Sequence, residues 1–82
     1  MPSPTKTTAQ IYWDHNDPAC VGWVARYTDQ TGNLVEHAID GTRNVNLVNL
    51  ATSAALPVDE VTVYDGEIAV LRFRSATDWR WI

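Results

Sequence analysis

The densest run of ligand-type side chains is Asp14-His15-Asn16-Asp17-Pro18-Ala19-Cys20, and His37 is the chain's other histidine. Carboxylate, imidazole and thiolate are zinc-binding groups, and a thiolate beside an imidazole makes an activated nucleophile. The spacing supports neither chemistry. Compact zinc sites draw ligands in closely spaced pairs, whereas His15 and Cys20 stand alone. A calcium loop opening at Asp14 needs glycine at its sixth position and has Ala19. Asx and proline residues favour turns, so the run reads as a polar loop, and Cys20 as a small buried apolar residue. Ser53 and Ser75 have no base near them in sequence, and neither a glycine-rich phosphate loop nor G-x-S-x-G occurs. The expectation is a chain with no catalytic set, no metal site and no cofactor.

The second cluster lies near residue 82, where Arg72-Phe73-Arg74 is followed by Trp79-Arg80-Trp81. Arginine and tryptophan are enriched where proteins grip one another, and the same mixture stacks on single-stranded bases. Arg72, Arg74, Trp79, Arg80 and Trp81 are therefore the candidate partner-binding residues. The charge decides between the two uses. The 82 residues carry a net −4, which disfavours a phosphate-gripping protein. Within that total, residues 1–67 hold nine acids against Lys6, Arg26 and Arg43, a balance of −6, while residues 68–82 hold Arg72, Arg74 and Arg80 against Asp78, a balance of +2. An acidic body suits a basic protein partner, and association with further copies of the chain is the next expectation.

These residues need elements to position them. Residues 1–8, with two prolines and three threonines, read as a flexible tail, and residues 9–82 as a single domain. Ala9, Ile11 and Trp13 alternate with polar neighbours, as do Val21 to Tyr27 and Leu34 to Ile39, which predicts three strands. Thr28 to Asn33 forms the hairpin loop between the latter two. Leu47, Leu50, Ala51 and Ala54 recur at helical spacing, after a cap at Thr42 or Asn44 and before Pro57. Val61 to Tyr64 and Glu67 to Arg74 flank Asp65-Gly66, the strongest short hairpin signal. Residues 75–82 suit either a helical turn or a short edge strand. The predicted fold is α+β, in the order β-β-β-α-β-β, a mainly antiparallel sheet with one helix packed on one face. One cysteine excludes an intrachain disulfide, and no run is apolar enough for a leader or a membrane span, so a cytoplasmic location is expected.

Ile11-Tyr12-Trp13-Asp14, Gly22-Trp23-Val24-Ala25-Arg26-Tyr27 with its antiparallel return, Thr42-Arg43-Asn44 opening an Ala/Leu helix, and Val61-Thr62-Val63-Tyr64-Asp65 follow in a suggestive order. Together they resemble the first half of the ribonuclease H fold over residues 11–65. The same partial fold occurs in HicB-type antitoxins, which pair with a small ribonuclease toxin. The resemblance implies a carboxylate cage for two divalent metals. Asp14 matches the acid ending the first strand, and Asp65 the acid after the fourth. The helix glutamate of that family has no counterpart, because residues 44–50 contain no acid. The sequence also stops before the fold's later elements and before the DNA-binding segment usual in HicB-type antitoxins. The expectation is a small non-catalytic protein-binding module (inhibitor, antitoxin-like or phage-type accessory protein), acting through an acidic sheet surface and the Arg/Trp-rich C-terminal segment. The alternatives are a nucleic-acid binder using that segment, or a degenerate ribonuclease H-like domain.

Overall fold

The computed structural model describes residues 7–14 and 22–82. His15, Asp17, Cys20 and Val21, and the expectations attached to them, lie outside the described residues. The elements are β1 (Thr8–Asp14), β2 (Gly22–Thr28), β3 (Leu34–Asp40), α1 (Leu47–Ala54), β4 (Glu60–Asp65), β5 (Ile68–Ser75) and β6 (Asp78–Trp81). The order of elements is the expected one, and residues 75–82 resolve into a turn and a sixth strand. Period two wins there: Trp79 and Trp81 flank Arg80, which suits a pleat better than a helical stripe. β1 begins at Thr8, one residue before the expected boundary. Thr7 is already tied down, because its N–H donates to Asp59 Oδ2 at 3.0 Å and its carbonyl accepts from the Asp59 and Glu60 amides.

All six strands form one sheet in the order β3-β2-β1-β4-β5-β6. Neighbours pair antiparallel except β1 and β4, which run parallel with Ala9 beside Val61 and Ile11 beside Val63. The sheet is thus mainly antiparallel as expected, and the one parallel pairing makes it mixed. The cause is the helix. β3 runs parallel to β1, and a helical crossover returns the chain to enter β4 in that same direction. The crossover lands β4 on the far side of β1, so β1 is the central hinge of the order.

α1 forms where the apolar spacing places it, with Leu50 and Ala51 buried and Leu47, Val48 and Ala54 partly so. Its cap is Asn46, whose side chain accepts from the Val48 and Asn49 amides at 3.0 and 3.2 Å. Thr42 and Asn44, the expected caps, lie too early. Thr42 is instead a loop anchor: its N–H donates to Asp40 Oδ1 at 2.7 Å and its carbonyl accepts from Trp23 Nε1 at 2.9 Å. The helix stops with Ala55 in the left-handed region at φ 47°, two residues before Pro57.

Strand alternation sends the core to one face. Ala9, Ile11, Trp23, Ala25, Val61, Val63, Leu71 and Phe73 are buried there beneath α1. Among the described residues, no helix covers the opposite face, which carries Gln10, Tyr12, Arg26, Glu36, Glu60, Thr62, Arg72, Arg74 and Arg80. A side with such residues needs no cover.

Gly22 joins β2 to the end of β3 at close quarters. Its φ is +150°, and an added Cβ would stand 2.6 Å from the Asp40 carbonyl oxygen. Backbone oxygen cannot swing aside as a flexible side chain can. Gly22→Ala is expected to lower unfolding free energy by about 2–4 kcal/mol, through strain and overpacking, as read from the urea midpoint.

Candidate functional site at the edge hairpin

The candidate residues sit on β5 and β6, at one end of the sheet. Gly66, at φ 66°, makes the tight turn from β4 to β5, where Asp65 pairs with Ile68. The β4–β5 register shifts between Val63 and Tyr64, which leaves Val70 as the extra residue of a bulge. Beyond the bulge Val61 faces Phe73 and Thr62 faces Arg72. Glu60 consequently falls beside Arg74. In β6, Arg80 faces Arg72 and Trp79 faces Phe73.

This register divides the five candidate residues. Arg72, Arg74 and Arg80 share the open face, and Trp79 and Trp81 share the helix face. Trp79 nevertheless borders the same depression as the three arginines. On the open face, a residue that the sequence reading did not single out organises the arginines. Glu60 is buried at 7% exposure. Its Oε1 lies 3.2 Å from Arg72 Nε and its Oε2 lies 3.3 Å from Arg74 Nε. A buried carboxylate needs such partners, since burying an unpaired charge is costly. Arg80 stands directly across from Arg72, which concentrates positive charge. A depression of about 260 Å³ opens among Glu60, Arg72, Arg74, Asp78, Trp79 and Arg80.

On the helix face, Trp79 and Trp81 are 39% and 57% exposed. Their rings meet edge to face with centroids 5.6 Å apart. They touch each other without entering the core. Trp13 and Trp23 make the contrasting pair, also edge to face at 5.6 Å, with Trp23 only 1% exposed. Trp23 lies in the core, with Trp13 packed against it.

Among the described residues, the acids are spread over loops, turns and both faces of the sheet. Asp29 closes the β2–β3 loop, accepting from Thr31 Oγ1, Thr31 N and Asn33 N at 2.6, 2.9 and 3.0 Å. The bond from the Thr31 hydroxyl, followed by those from backbone amides, holds its carboxyl below the ordinary 3.8. Glu36 accepts from the Tyr12 hydroxyl at 3.2 Å. Burial and then the Glu36 charge push that phenol above its usual 10.0.

Asp14 and Asp65 end neighbouring parallel strands, so they reach the same end of the sheet. Alternation sends them to opposite faces. Asp65 shares the face of Val63 and Trp13, and Asp14 that of Tyr12. Asp65 Oδ1 accepts from Arg43 Nη2 at 2.8 Å. The Arg43 guanidinium also lies 5.3 Å from the ring centres of both Trp13 and Trp23. Among the described residues, no group of three or more His, Cys, Asp or Glu side chains stands close enough to hold a metal ion. A further groove of about 570 Å³ lies between β3 and α1, with Asp40, Asn46, Asn49 and Ser53 on its walls. Asp40 and Asn46 are already engaged there with backbone amides. Among the described residues, no helix is long and apolar enough to cross a membrane.

Comparison with protein-family models, with curated proteins and with solved structures finds no match.

Two outcomes test this geometry. Glu60→Gln removes the buried charge that draws in both arginines and is expected to cost about 1–2 kcal/mol. Arg72→Ala or Arg74→Ala should cost less, under about 1 kcal/mol each, because the arginines are half exposed. Thermal melts of the three variants check the ranking. Arg43→Met keeps the stem but removes the charge over the indoles. It is expected to cost about 1–2 kcal/mol and to alter the tryptophan emission of the folded protein.

Proposed function

We propose that the chain is a small non-catalytic protein-binding module whose binding element is the β5–β6 hairpin. The observation that carries this reading is the exposure of Trp79 and Trp81 on a strand that every residue shows to solvent. Large aromatics left out of a core cost solvation free energy that a partner surface would recover. Arg72, Arg74 and Arg80 on the other face give the same hairpin a positive side. A surface laid over that side would be acidic. This differs from the basic partner that whole-chain charge favours, because many of the acids are engaged locally, Asp29 by its loop, Asp65 by Arg43 and Glu60 by the arginines themselves.

The alternative readings draw less support from the geometry. Stacking on nucleic acid while gripping its phosphates needs arginines and aromatics on one surface. Alternation sends Arg72, Arg74 and Arg80 to one face and Phe73, Trp79 and Trp81 to the other, so Trp79 alone of these aromatics borders the arginine depression. A ribonuclease H-like metal cage needs convergent carboxylates, and Asp14 and Asp65 leave the sheet on opposite faces. The antitoxin-like reading stays within the proposal as one kind of protein-binding module.

The test is affinity capture from the native host with the tagged chain and with a Trp79→Ser/Trp81→Ser double variant. The expected result is one stoichiometric partner held by the parent and lost by the variant, with far-ultraviolet circular dichroism unchanged. Equal capture by both proteins, or a parent with neither a stoichiometric partner nor self-association, would overturn the proposal.

A further inference from the structure

β6 is an edge strand, so among the described residues no strand pairs with its outer side. Which groups face outward follows from the hydrogen-bond pattern. The Ile82 N–H donates to the Val70 carbonyl at 3.0 Å. In an antiparallel ladder, residues alternate between facing the partner strand and facing away. Ile82 and Arg80 therefore turn their backbone groups toward β5, and Trp79 and Trp81 turn theirs outward. The outward amides and carbonyls thus belong to the two residues whose indoles are exposed on the helix face. The opposite edge, β3, has a register shift in its pairing with β2 and exposes Glu36 and His37. Bulges and charges of that kind discourage edge-to-edge pairing. β6 has a register shift too, but it falls at the turn, between Phe73 and Ser75, and leaves Trp79 to Trp81 in regular pairing; its charges, Asp78 and Arg80, lie on the other face.

We infer that β6 pairs antiparallel with β6 of a second copy, Trp79 opposite Trp81, to make one continuous sheet across a twofold axis. The inference rests on the hairpin being the binding element and names its partner as the chain itself. The strand is self-complementary in this register. All outward N–H and C=O groups of Trp79 and Trp81 find partners in the other copy. Residues directly opposite share a face, so the tryptophans of both copies gather into one cluster on the helix side. Trp79 and Trp81 offer to that cluster the 39% and 57% of their surface that the single copy leaves exposed. Arg80 meets Arg80 on the open face, with Asp78 of the other copy one diagonal away. The competing register sets Trp79 against Trp79 and Arg80 against Asp78. It gains exposed ion pairs but sets Trp81 against the turn residue Thr77, whose N–H already bonds Ser75 Oγ at 3.3 Å. Exposed ion pairs are worth little beside backbone bonds and buried aromatics, so the first register wins. In it the arginines of both copies form one broad positive surface.

Sedimentation equilibrium of the full chain from about 5 to 500 μM tests the pairing, with a dimer expected within that range. Hydrogen exchange should show the Trp79 and Trp81 amides gaining protection as concentration rises, while the Arg80 amide stays as it is in the monomer. Trp79→Ser/Trp81→Ser should raise Kd by about 100-fold or more. Arg80→Thr should lower Kd by up to about fivefold, since it relieves the like-charge contact. A monomer at every concentration, a dimer indifferent to the tryptophan substitutions, or a dimer weakened by Arg80→Thr would overturn the inference. A monomeric parent that nevertheless captures a different protein through Trp79 and Trp81 would end self-pairing and leave the binding-element reading standing. A monomeric parent with no tryptophan-dependent capture would end both.

Discussion

The parallel pairing of β1 with β4 is the constraint from which the rest of this structure follows. Thr8 beside Glu60 and Ile11 beside Val63 join two antiparallel halves, β3-β2-β1 and β4-β5-β6, into one sheet. Parallel neighbours cannot be joined by a tight turn, so the chain must cross over, and α1 is that crossover. The crossing carries the helix over the face where Ile11, Trp23, Val63 and Leu71 are buried. It leaves the other face open. It also fixes which strands lie at the margins: β3 at one edge and β6 at the other. Every functional argument about the hairpin depends on β6 being such a margin.

The sequence makes local structure legible and leaves long-range register hidden. Alternation at Ile11 and Trp13, the stripe through Leu47, Leu50, Ala51 and Ala54, and the Asp65-Gly66 turn each report a local period or dihedral preference. The parallel pair links residues on either side of the whole β2–β3–α1 excursion, and no local pattern announces it. The bulge at Val70 is equally silent, yet it decides the site. Counting back from the Asp65–Ile68 turn without a bulge sets Glu60 opposite Phe73. With the bulge, Glu60 lies opposite Arg74, and its carboxylate bridges Arg74 and Arg72. Glu60 was invisible as a site residue for that reason. Arg43 was hidden in a similar way, because its indole and carboxylate partners come from β1, β2 and β4.

The candidate site shows how one period serves two chemistries. In β6 a strict alternation of Asp, Trp, Arg and Trp puts charge on one face and indole on the other. Grouping all five residues as one binding patch treats sequence neighbours as spatial neighbours. In a strand adjacent residues point apart, so of the two indoles only Trp79 borders the arginine depression. A partner can reach both faces only by wrapping around the edge or by extending the sheet through it. Extension needs no rearrangement of the domain, and it uses the backbone groups that the edge leaves open.

The core explains why β6 is available for such a task. Trp23, Ile11, Val63 and Leu71 fill the interior with side chains from β2, β1, β4 and β5. β6 contributes no buried residue. In a domain this small, a strand that adds nothing to the core gains only its hydrogen bonds to β5 and the cross-strand contacts along them, set against the entropy of ordering it. Its tryptophans add exposed apolar area to that account. Trp79 already stands across from Phe73 and Trp81 across from Leu71, yet both indoles keep exposed surface. The free energy to offset that exposure would come from a surface laid against the edge.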